Sequence, residues 1–186
     1  MIVTAFTGMR RGEVTGLTWD VVDFERGTIH INKQLQKVIG EKGKFQLVST
    51  KNGKGRIITP APSVMDLLRQ VKVKQAENKL LAGEGYEDSN FVFCNAIGQH
   101  LSPHTVYHHF KKAAEAIGIP EARFHDLRHT YAVAALANGD DIKTVQENLG
   151  HHTVSFTLDV YGHVTDQMRK ESANRMENFI KKVSIK

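Results

Sequence analysis

The sequence predicts a mainly α-helical domain of the α+β class with a small three-stranded antiparallel β-sheet. Three short segments rich in β-branched residues come early in the chain, bounded by glycines and by the turn-forming pair Asn52-Gly53. Beyond them, apolar residues recur at helical spacing. The segments with this spacing begin after helix-start signals such as Ser102-Pro103. At 186 residues, the chain is long enough to bury a core of its own.

The first predicted elements are one helix and then the three strands. Residues 1–17 are expected to form the helix, because their apolar side chains recur at helical spacing. The strands are expected at GTIHIN (27–32), KFQLVST (44–50) and GRIITP (55–60). Because the last two segments flank Asn52-Gly53, they are predicted to pair as an antiparallel hairpin.

Five further helices are predicted after the strands, each starting at a proline or a capping residue. Their starts are Pro62, Ser102-Pro103, Asp126, Asp140 or Asp141, and Thr165, and the first four end by Gly83, Gly118, Gly139 and Gly150. The second is expected to bury a face made of Val106, Phe110, Ala113 and Ile117. The last carries an apolar stripe made of Met168, Met176, Phe179, Ile180 and Val183.

Composition and charge narrow the class of protein. Lys and Arg outnumber Asp and Glu by 25 to 20, and the net charge of +5 favours a polyanionic partner without requiring one. The single Cys94 excludes an internal disulfide and a Cys-based zinc site, and it fits a reducing compartment. No apolar run of about 18 residues is present, and the opening residues are too soon charged for a signal peptide. We therefore expect a cytoplasmic protein that makes no membrane contact.

Histidine pairs raise the question of a metal site. His125 and His129 are four residues apart, as are His104 and His108, so each pair could share a helix face. The common catalytic zinc motif needs a glutamate after the first histidine, which neither pair has. Arg128 beside the first pair would repel a dication. The pattern therefore disfavours a metal, although a metal-dependent nuclease stays an alternative.

Phosphodiester chemistry fits the same residue types better. Negative charge that develops on the phosphate oxygens can be held by two guanidinium groups without a metal. A tyrosine can attack the phosphorus once a histidine helps it lose its proton, and a lysine can protonate the leaving oxygen. The chain supplies arginines in TGMRRGE and HDLRH, histidines in HDLRH and LGHH, and a tyrosine in VYGH.

Several motifs together resemble the tyrosine recombinase (phage integrase) family. TGMRRGEVTGLTWDVVDF, TKNGKGRIITP, HDLRHT and LGH occur in the family's order and spacing, and Tyr161 follows His151 by ten residues. The resemblance extends from Thr7 to His163. It implies the catalytic-domain fold of a site-specific DNA recombinase of a phage or mobile element. Such an enzyme cuts and rejoins DNA strands through a 3′-phosphotyrosyl intermediate, with no metal, ATP or other cofactor.

The resemblance also implies a role for each matched residue. Arg10 and Arg128 would bind the scissile phosphate, His125 would assist proton transfer, His151 would hydrogen-bond the phosphate, and Tyr161 would be the nucleophile. The alternatives are structural: a solvated helix face for an early arginine, a cap or loop position for a histidine, and a core edge for a tyrosine.

Two more residues complete the expected site. Lys51, on the predicted hairpin, would protonate the leaving 5′ oxygen, although Lys54 is close enough to exchange roles with it. Glu13 would be an acidic residue that supports the site. Tyr107 and Tyr131, by contrast, are interpreted as core residues on apolar helix faces.

Domain organisation and partners follow from the same resemblance. Residues 1–186 are expected to be a catalytic domain truncated at its N terminus and lacking the family's core-binding domain. Double-stranded DNA at recombination sites is the expected partner, with a homotetramer on DNA for the full-length protein and a monomer for this domain alone. Residues 166–186 are expected either to dock on a neighbouring protomer or to fold back on their own domain. A DNA-binding remnant without catalysis is the second alternative to the enzyme.

Overall fold

The computed structural model describes residues 1–41, 43–50, 53, 55–150 and 166–184. It divides into two compact units, Met1–Tyr131 and Ala132–Lys186. Among the helices described, none combines the length and the apolar character that a membrane-spanning segment requires.

The first unit opens with two short helices rather than one. Helix α1 spans Ile2–Thr7 and helix α2 spans Arg11–Thr15, so the prediction of one continuous helix over 1–17 is wrong. Gly8 ends α1 in the left-handed conformation, with φ 64° and ψ 14°, and its N–H donates to the carbonyl of Thr4 at 3.0 Å. A glycine adopts this backbone without the clash that a side chain would bring. The chain therefore turns immediately before Arg10.

Among the described residues, five strands form two separate sheets. They are β1 (Val22–Asp23), β2 (Thr28–Ile31), β3 (Lys33–Lys37), β4 (Phe45–Ser49) and β5 (Arg56–Ile58). The three-stranded sheet has the order β1-β2-β5, and β3 and β4 form a two-stranded sheet. All pairs are antiparallel.

The pairing corrects the predicted hairpin across Asn52-Gly53. Strands β4 and β5, which flank that turn, belong to different sheets, because β4 pairs with β3 and β5 pairs with β2. Strand β3 was not predicted, because its polar residues KQLQK do not resemble a strand rich in β-branched side chains. The class predicted from the sequence, mainly α with small antiparallel sheets, is nevertheless confirmed.

The remaining helices of the first unit start where the local signals placed them. Helix α3 spans Pro62–Ala82 and α4 spans Pro103–Ala116, where the Ser102 side chain accepts the N–H of Thr105 at 3.0 Å. The predicted burial of Ile117 is wrong, since α4 ends one residue earlier and Ile117 is 72% exposed.

Helix α5 spans Asp126–Ala137, and the boundary between the two units falls within it. Asp126, predicted as its cap, is instead the first helical residue. Its carboxylate accepts the main-chain N–H of Arg123 at 2.8 Å, which fixes the turn that leads into the helix.

A hydrophobic core lies among the described residues of the first unit, formed mainly by side chains from both early helices, the three-stranded sheet, α3 and α4. Its buried members are Val3, Met9, Val14, Leu17, Val22, Ile29, Ile31, Ile58, Val64, Met65, Leu68, Val92, Phe110, Ala114 and Phe124. Met9 is fully buried, which anchors the short segment between α1 and α2. The residue after it, Arg10, is thereby held at the edge of the core.

The described residues of the second unit contain the end of α5 and two further helices. Helix α6 spans Ile142–Leu149, and the Asp141 side chain caps it by accepting the N–H of Thr144 at 2.9 Å. Gly150 ends it in the left-handed conformation. Helix α7 spans Asp166–Ser184, and four members of its predicted apolar stripe are exposed: Met176, Phe179, Ile180 and Val183.

Candidate active site

Arg10 is positioned by a close approach of α2 to strand β3. Arg10 itself is the N-cap residue of α2, with an extended backbone, and its side chain is 41% exposed. Gly16, at the other end of α2, leaves no room for a side chain, because a Cβ there would lie 2.5 Å from the main-chain nitrogen of Leu35. Glycine at this position therefore lets the helix lie against the strand.

Glu13 is the buried acid that holds this segment together. Its side chain is only 1% exposed. One carboxylate oxygen, Oε2, accepts the main-chain N–H of Arg10 at 2.8 Å, and the other, Oε1, accepts Nη1 of Arg10 at 2.8 Å. Arg56, on β5, donates from Nη1 to Oε1 at 2.9 Å and from Nη2 to Oε2 at 2.7 Å. A bidentate pair of this kind is among the strong charged hydrogen bonds of proteins.

The two arginines keep Glu13 ionised despite its burial. Burial acts to raise the pKa of Glu13, but the hydrogen bonds and charges of Arg56 and Arg10 outweigh it and lower the pKa to about 2. The carboxylate is therefore a fixed negative charge at any pH near neutrality.

Arg128 lies almost entirely inside the first unit. It is 1% exposed, and its Nη1 donates to the carbonyl oxygen of Gly8 at 2.6 Å. That carbonyl belongs to the residue whose left-handed turn precedes Arg10. The same local bend therefore helps to place both arginines.

His125 lies one helical turn before Arg128, and its ring packs edge-on against His129 with centroids 4.8 Å apart. Partial burial lowers the pKa of His125 below its ordinary value. The charges of His129, Arg128 and Arg10 lower it further. The imidazole therefore favours its neutral form, in which it can accept a proton.

These groups meet at one cavity of about 400 Å³. Its lining residues are Met9, Arg10, Arg11, Tyr107, Arg123, Phe124, His125 and Arg128. The structure thus brings three of the sequence-predicted site residues, Arg10, His125 and Arg128, to a single opening, with Glu13 directly behind Arg10. A cavity with several guanidinium groups and a neutral imidazole suits a phosphate group.

Five of the lining residues were not among the predicted site residues, and three of them, Arg11, Tyr107 and Arg123, carry polar groups. Tyr107 is 38% exposed, so its interpretation as a core residue is wrong, and the guanidinium of Arg11 lies over its ring at 6.0 Å from the centroid. Arg123 forms an ion pair with Asp126 at 2.9 Å. No sequence pattern pointed to Tyr107, because a helical tyrosine near apolar residues is ordinarily buried.

Arg56 is a further residue of the site that was not predicted from the sequence. Strand alternation puts Arg56 on the same face as Ile58, which is 3% exposed. A charged residue on the buried face of a strand needs a charged partner, and this signal could have identified it. Its partner, Glu13, lies 43 residues earlier, which no local pattern reveals.

The remaining predicted residues, Lys51, His151 and Tyr161, lie outside the described residues, as does Lys54. Within the described part of the chain, no three His, Cys, Asp or Glu side chains are close enough to hold a metal ion.

Comparisons with known proteins all point to the same protein family. Residues 1–168 match the model of the phage integrase family. A protein of Caldanaerobacter subterraneus subsp. tengcongensis named tyrosine recombinase XerC-like is 34% identical over 184 residues, which cover 93% of this chain and 46% of that protein. The chain spans about half the length of the curated relatives it matches.

Solved structures share the fold. The integrase of transposon Tn1549, solved in complex with transposon right end DNA, matches with a TM-score of 0.75 and 22% identity, over 95% of this chain and 57% of that one. The XerH site-specific recombinase, solved bound to a palindromic difH substrate, matches with a TM-score of 0.58 and 26% identity. That match covers 94% of this chain and 44% of XerH.

Proposed function

This chain belongs to the phage integrase family, and we propose that it is the catalytic domain of a site-specific DNA recombinase. The enzyme would cut and rejoin DNA strands through a 3′-phosphotyrosyl intermediate, without metal or ATP, during integration or excision of a phage or mobile element. The relative named tyrosine recombinase XerC-like supports this assignment.

The meeting of Arg10, Arg128 and His125 at one cavity is the observation that carries the proposal. A phosphodiester gains negative charge on its non-bridging oxygens as a nucleophile attacks. Two guanidinium groups from different elements can bind those oxygens from two sides and stabilise that charge. In related phosphoryl-transfer enzymes, one such arginine contributes roughly 10³ to 10⁵ in rate.

The proposed reaction is a transesterification in which atoms and charge balance. The phenol oxygen of Tyr161 attacks the phosphorus and forms an ester with the 3′ end, while the bond to the 5′ oxygen breaks. The 5′ oxygen takes up a proton and leaves as a hydroxyl. A 5′-hydroxyl from a partner strand then attacks the phosphotyrosyl ester and releases Tyr161. Because the ester conserves the bond energy, the cycle needs no external energy source.

Proton transfer is assigned to residues around the phosphate. The neutral imidazole of His125 can accept the proton of Tyr161, whose ordinary pKa of about 10 makes unaided ionisation unfavourable. Lys51 would protonate the leaving 5′ oxygen, and His151 would hydrogen-bond a phosphate oxygen. These three assignments rest on the family resemblance, and Tyr161 as nucleophile rests on it as well.

Double-stranded DNA is the proposed partner, and the full-length protein is proposed to act as a homotetramer on its recombination sites. The cationic groups around the cavity and the net charge of +5 support a polyanionic partner. The XerH recombinase, of the same fold, was solved bound to its difH substrate.

A trapped covalent adduct tests the proposal. The protein is incubated with nicked, end-labelled duplexes of randomised sequence, whose short 5′ fragment diffuses away after cleavage and prevents religation. We expect a labelled protein band on a denaturing gel, in the presence of EDTA. Tyr161→Phe, which removes only the attacking oxygen, should abolish the band. Tyr107→Phe, which removes only the phenolic hydroxyl at the cavity, should still form the band.

Two outcomes would overturn the assignment. An adduct that persists in Tyr161→Phe and disappears in Tyr107→Phe would identify a different nucleophile. If the DNA is cleaved without forming an adduct, and this cleavage stops in EDTA, the result would favour a metal-dependent nuclease instead.

A further inference from the structure

Three charged groups form a line that leads from strand β5 to the cavity. The carboxylate of Glu13 lies between the guanidinium groups of Arg56 and Arg10 and accepts hydrogen bonds from both. The middle group is the most buried: the Glu13 side chain is 1% exposed, against 13% for the Arg56 side chain and 41% for the Arg10 side chain. The group nearest solvent is therefore the arginine that lines the cavity.

Glu13 has a benefit and a cost for a phosphate-binding arginine. It orients Arg10 by accepting both its main-chain N–H and its Nη1, each at 2.8 Å. It also places a full negative charge within hydrogen-bonding distance of the guanidinium that would bind the phosphate. In a buried setting such a charge acts strongly on a neighbouring anion, because solvent screens it little.

We propose that Arg56 is a positioning residue that offsets the charge of Glu13, so that Arg10 presents a net positive charge to a DNA phosphate. This inference rests on the proposed function. Arg56 spans both carboxylate oxygens with two hydrogen bonds, at 2.9 Å and 2.7 Å. With Arg56 present, the three groups carry a net charge of +1. Without it, Glu13 and Arg10 form a neutral pair.

The placement of Arg56 also suits a role at the site. Its strand pairs with β2 through the register of Arg56 with Ile31, a fully packed core residue at 2% exposure. Arg56 is therefore fixed from the side of the sheet, independently of α2. An arginine suits this position better than a lysine, because its planar fork matches both oxygens of the carboxylate, although the positive charge itself carries the proposed role.

A double-mutant cycle separates charge offset from simple structural support. The rate of adduct formation on the nicked duplexes is measured for Arg56→Gln, Glu13→Gln and the double variant, with folding checked by circular dichroism and thermal unfolding. We expect Arg56→Gln to lower the rate by about 10²-fold, since it leaves Glu13 to neutralise Arg10. The double variant, which removes both charges, should be about tenfold faster than Arg56→Gln alone.

A matched control is available on the surface. Arg69 forms an ion pair with Asp66 at 2.7 Å, and both side chains are at least half exposed, so Arg69→Gln should leave the rate unchanged. Arg56→Lys keeps the positive charge without the fork and should lose less than about tenfold. If Arg56→Gln fails to fold, Arg56→Lys tests the charge-offset role in its place. A folded Arg56→Lys protein whose adduct rate falls by about 10²-fold would overturn that role.

The outcomes distinguish this inference from the proposed function. Equal rates for Arg56→Gln and the double variant, both folded, would overturn the charge-offset role while leaving the recombinase assignment intact. An inactive wild-type protein would instead overturn the proposed function, and this inference with it.

Discussion

The guanidinium of Arg128 donates a 2.6 Å hydrogen bond to the carbonyl oxygen of Gly8, a residue 120 positions earlier in the chain. Gly8 makes the turn that places Arg10, so the two arginines at the cavity share one structural support. A substitution at one of these arginines can therefore shift the position of the other.

Removal of Arg128 should therefore affect both stability and catalysis. Arg128→Ala leaves the buried carbonyl of Gly8 without this donor and opens a cavity, at a cost on the order of 2–4 kcal/mol in the free energy of unfolding. Adduct formation should fall by about 10²-fold or more. Urea unfolding and the nicked-duplex assay measure the two effects. Arg123→Ala, at an exposed arginine of the same cavity, should change the free energy of unfolding far less than Arg128→Ala does, and an equal destabilisation would contradict the role of the Gly8 bond.

Removal of Arg10 should separate catalysis from folding. Its side chain is 41% exposed, so Arg10→Ala should destabilise the protein by only about 1 kcal/mol. The adduct rate should nevertheless fall by roughly 10²–10³-fold, because a donor to the phosphate oxygens is lost. Arg11→Ala tests the neighbouring arginine of the same cavity and should cost much less. A larger loss in Arg11→Ala would reassign the phosphate contact to Arg11.

Glu13 should make the stability depend on pH in the acid range. The pKa of Glu13 is about 2 in the folded protein against an ordinary 4.5, so the unfolded chain binds this proton more tightly. The stabilisation is complete above pH 4.5 and is lost as the pH falls toward 2. It amounts to on the order of 3 kcal/mol. Unfolding curves collected across that pH range should show the loss of stability. Glu13→Gln should remove the contribution of Glu13 to this pH dependence. An unchanged pH dependence in Glu13→Gln would show that other carboxylates dominate.

His125 should titrate below its ordinary pKa of 6.5 in the free protein. Partial burial and the charges of His129, Arg128 and Arg10 disfavour its protonated form, so the folded state loses stability as the pH drops through and below 6.5. The imidazole resonances in an NMR titration, assigned with His125→Gln, report the midpoint. Arg10→Ala should move that midpoint upward, since it removes one of the charges. A midpoint at or above 6.5 would argue against a neutral base at this position.

Deletion of residues 166–186 tests the role of helix α7. Four apolar side chains on this helix are 49–62% exposed, and an exposed apolar stripe favours a docking surface. The deletion should reduce assembly on DNA, measured by sedimentation of the protein–duplex complex, while thermal unfolding stays unchanged. If the helix instead folds back on its own domain, the deletion should lower the unfolding temperature and leave assembly intact.

Local chemistry made several elements predictable from sequence. Ser102 caps α4, and Asp141 and Gly150 bound α6, as predicted, because a cap is made between residues only three or four apart. Family motifs selected Arg10, His125 and Arg128, and these three do line one cavity. Residue type and spacing alone would have left Arg10 and Arg11 equivalent.

Strand pairing and the partner of Arg56 were decided by tertiary structure. The turn at Asn52-Gly53 suggested a hairpin, yet β5 pairs with β2, because Ile29 and Ile58 can then be buried together at 0% and 3% exposure. The charge cluster of Glu13 depends on that pairing, since it brings Arg56 to α2.

By itself, then, the sequence determined the helix boundaries set by caps and the family to which the motifs belong. Tertiary structure decided which strands pair, that Glu13 joins Arg10 to Arg56, and that the carbonyl of Gly8 receives Arg128. The physical reason is distance along the chain. Local hydrogen bonds are determined by residues that are neighbours in sequence. A buried ion pair or a strand register depends instead on which apolar surfaces the whole chain can remove from water at once.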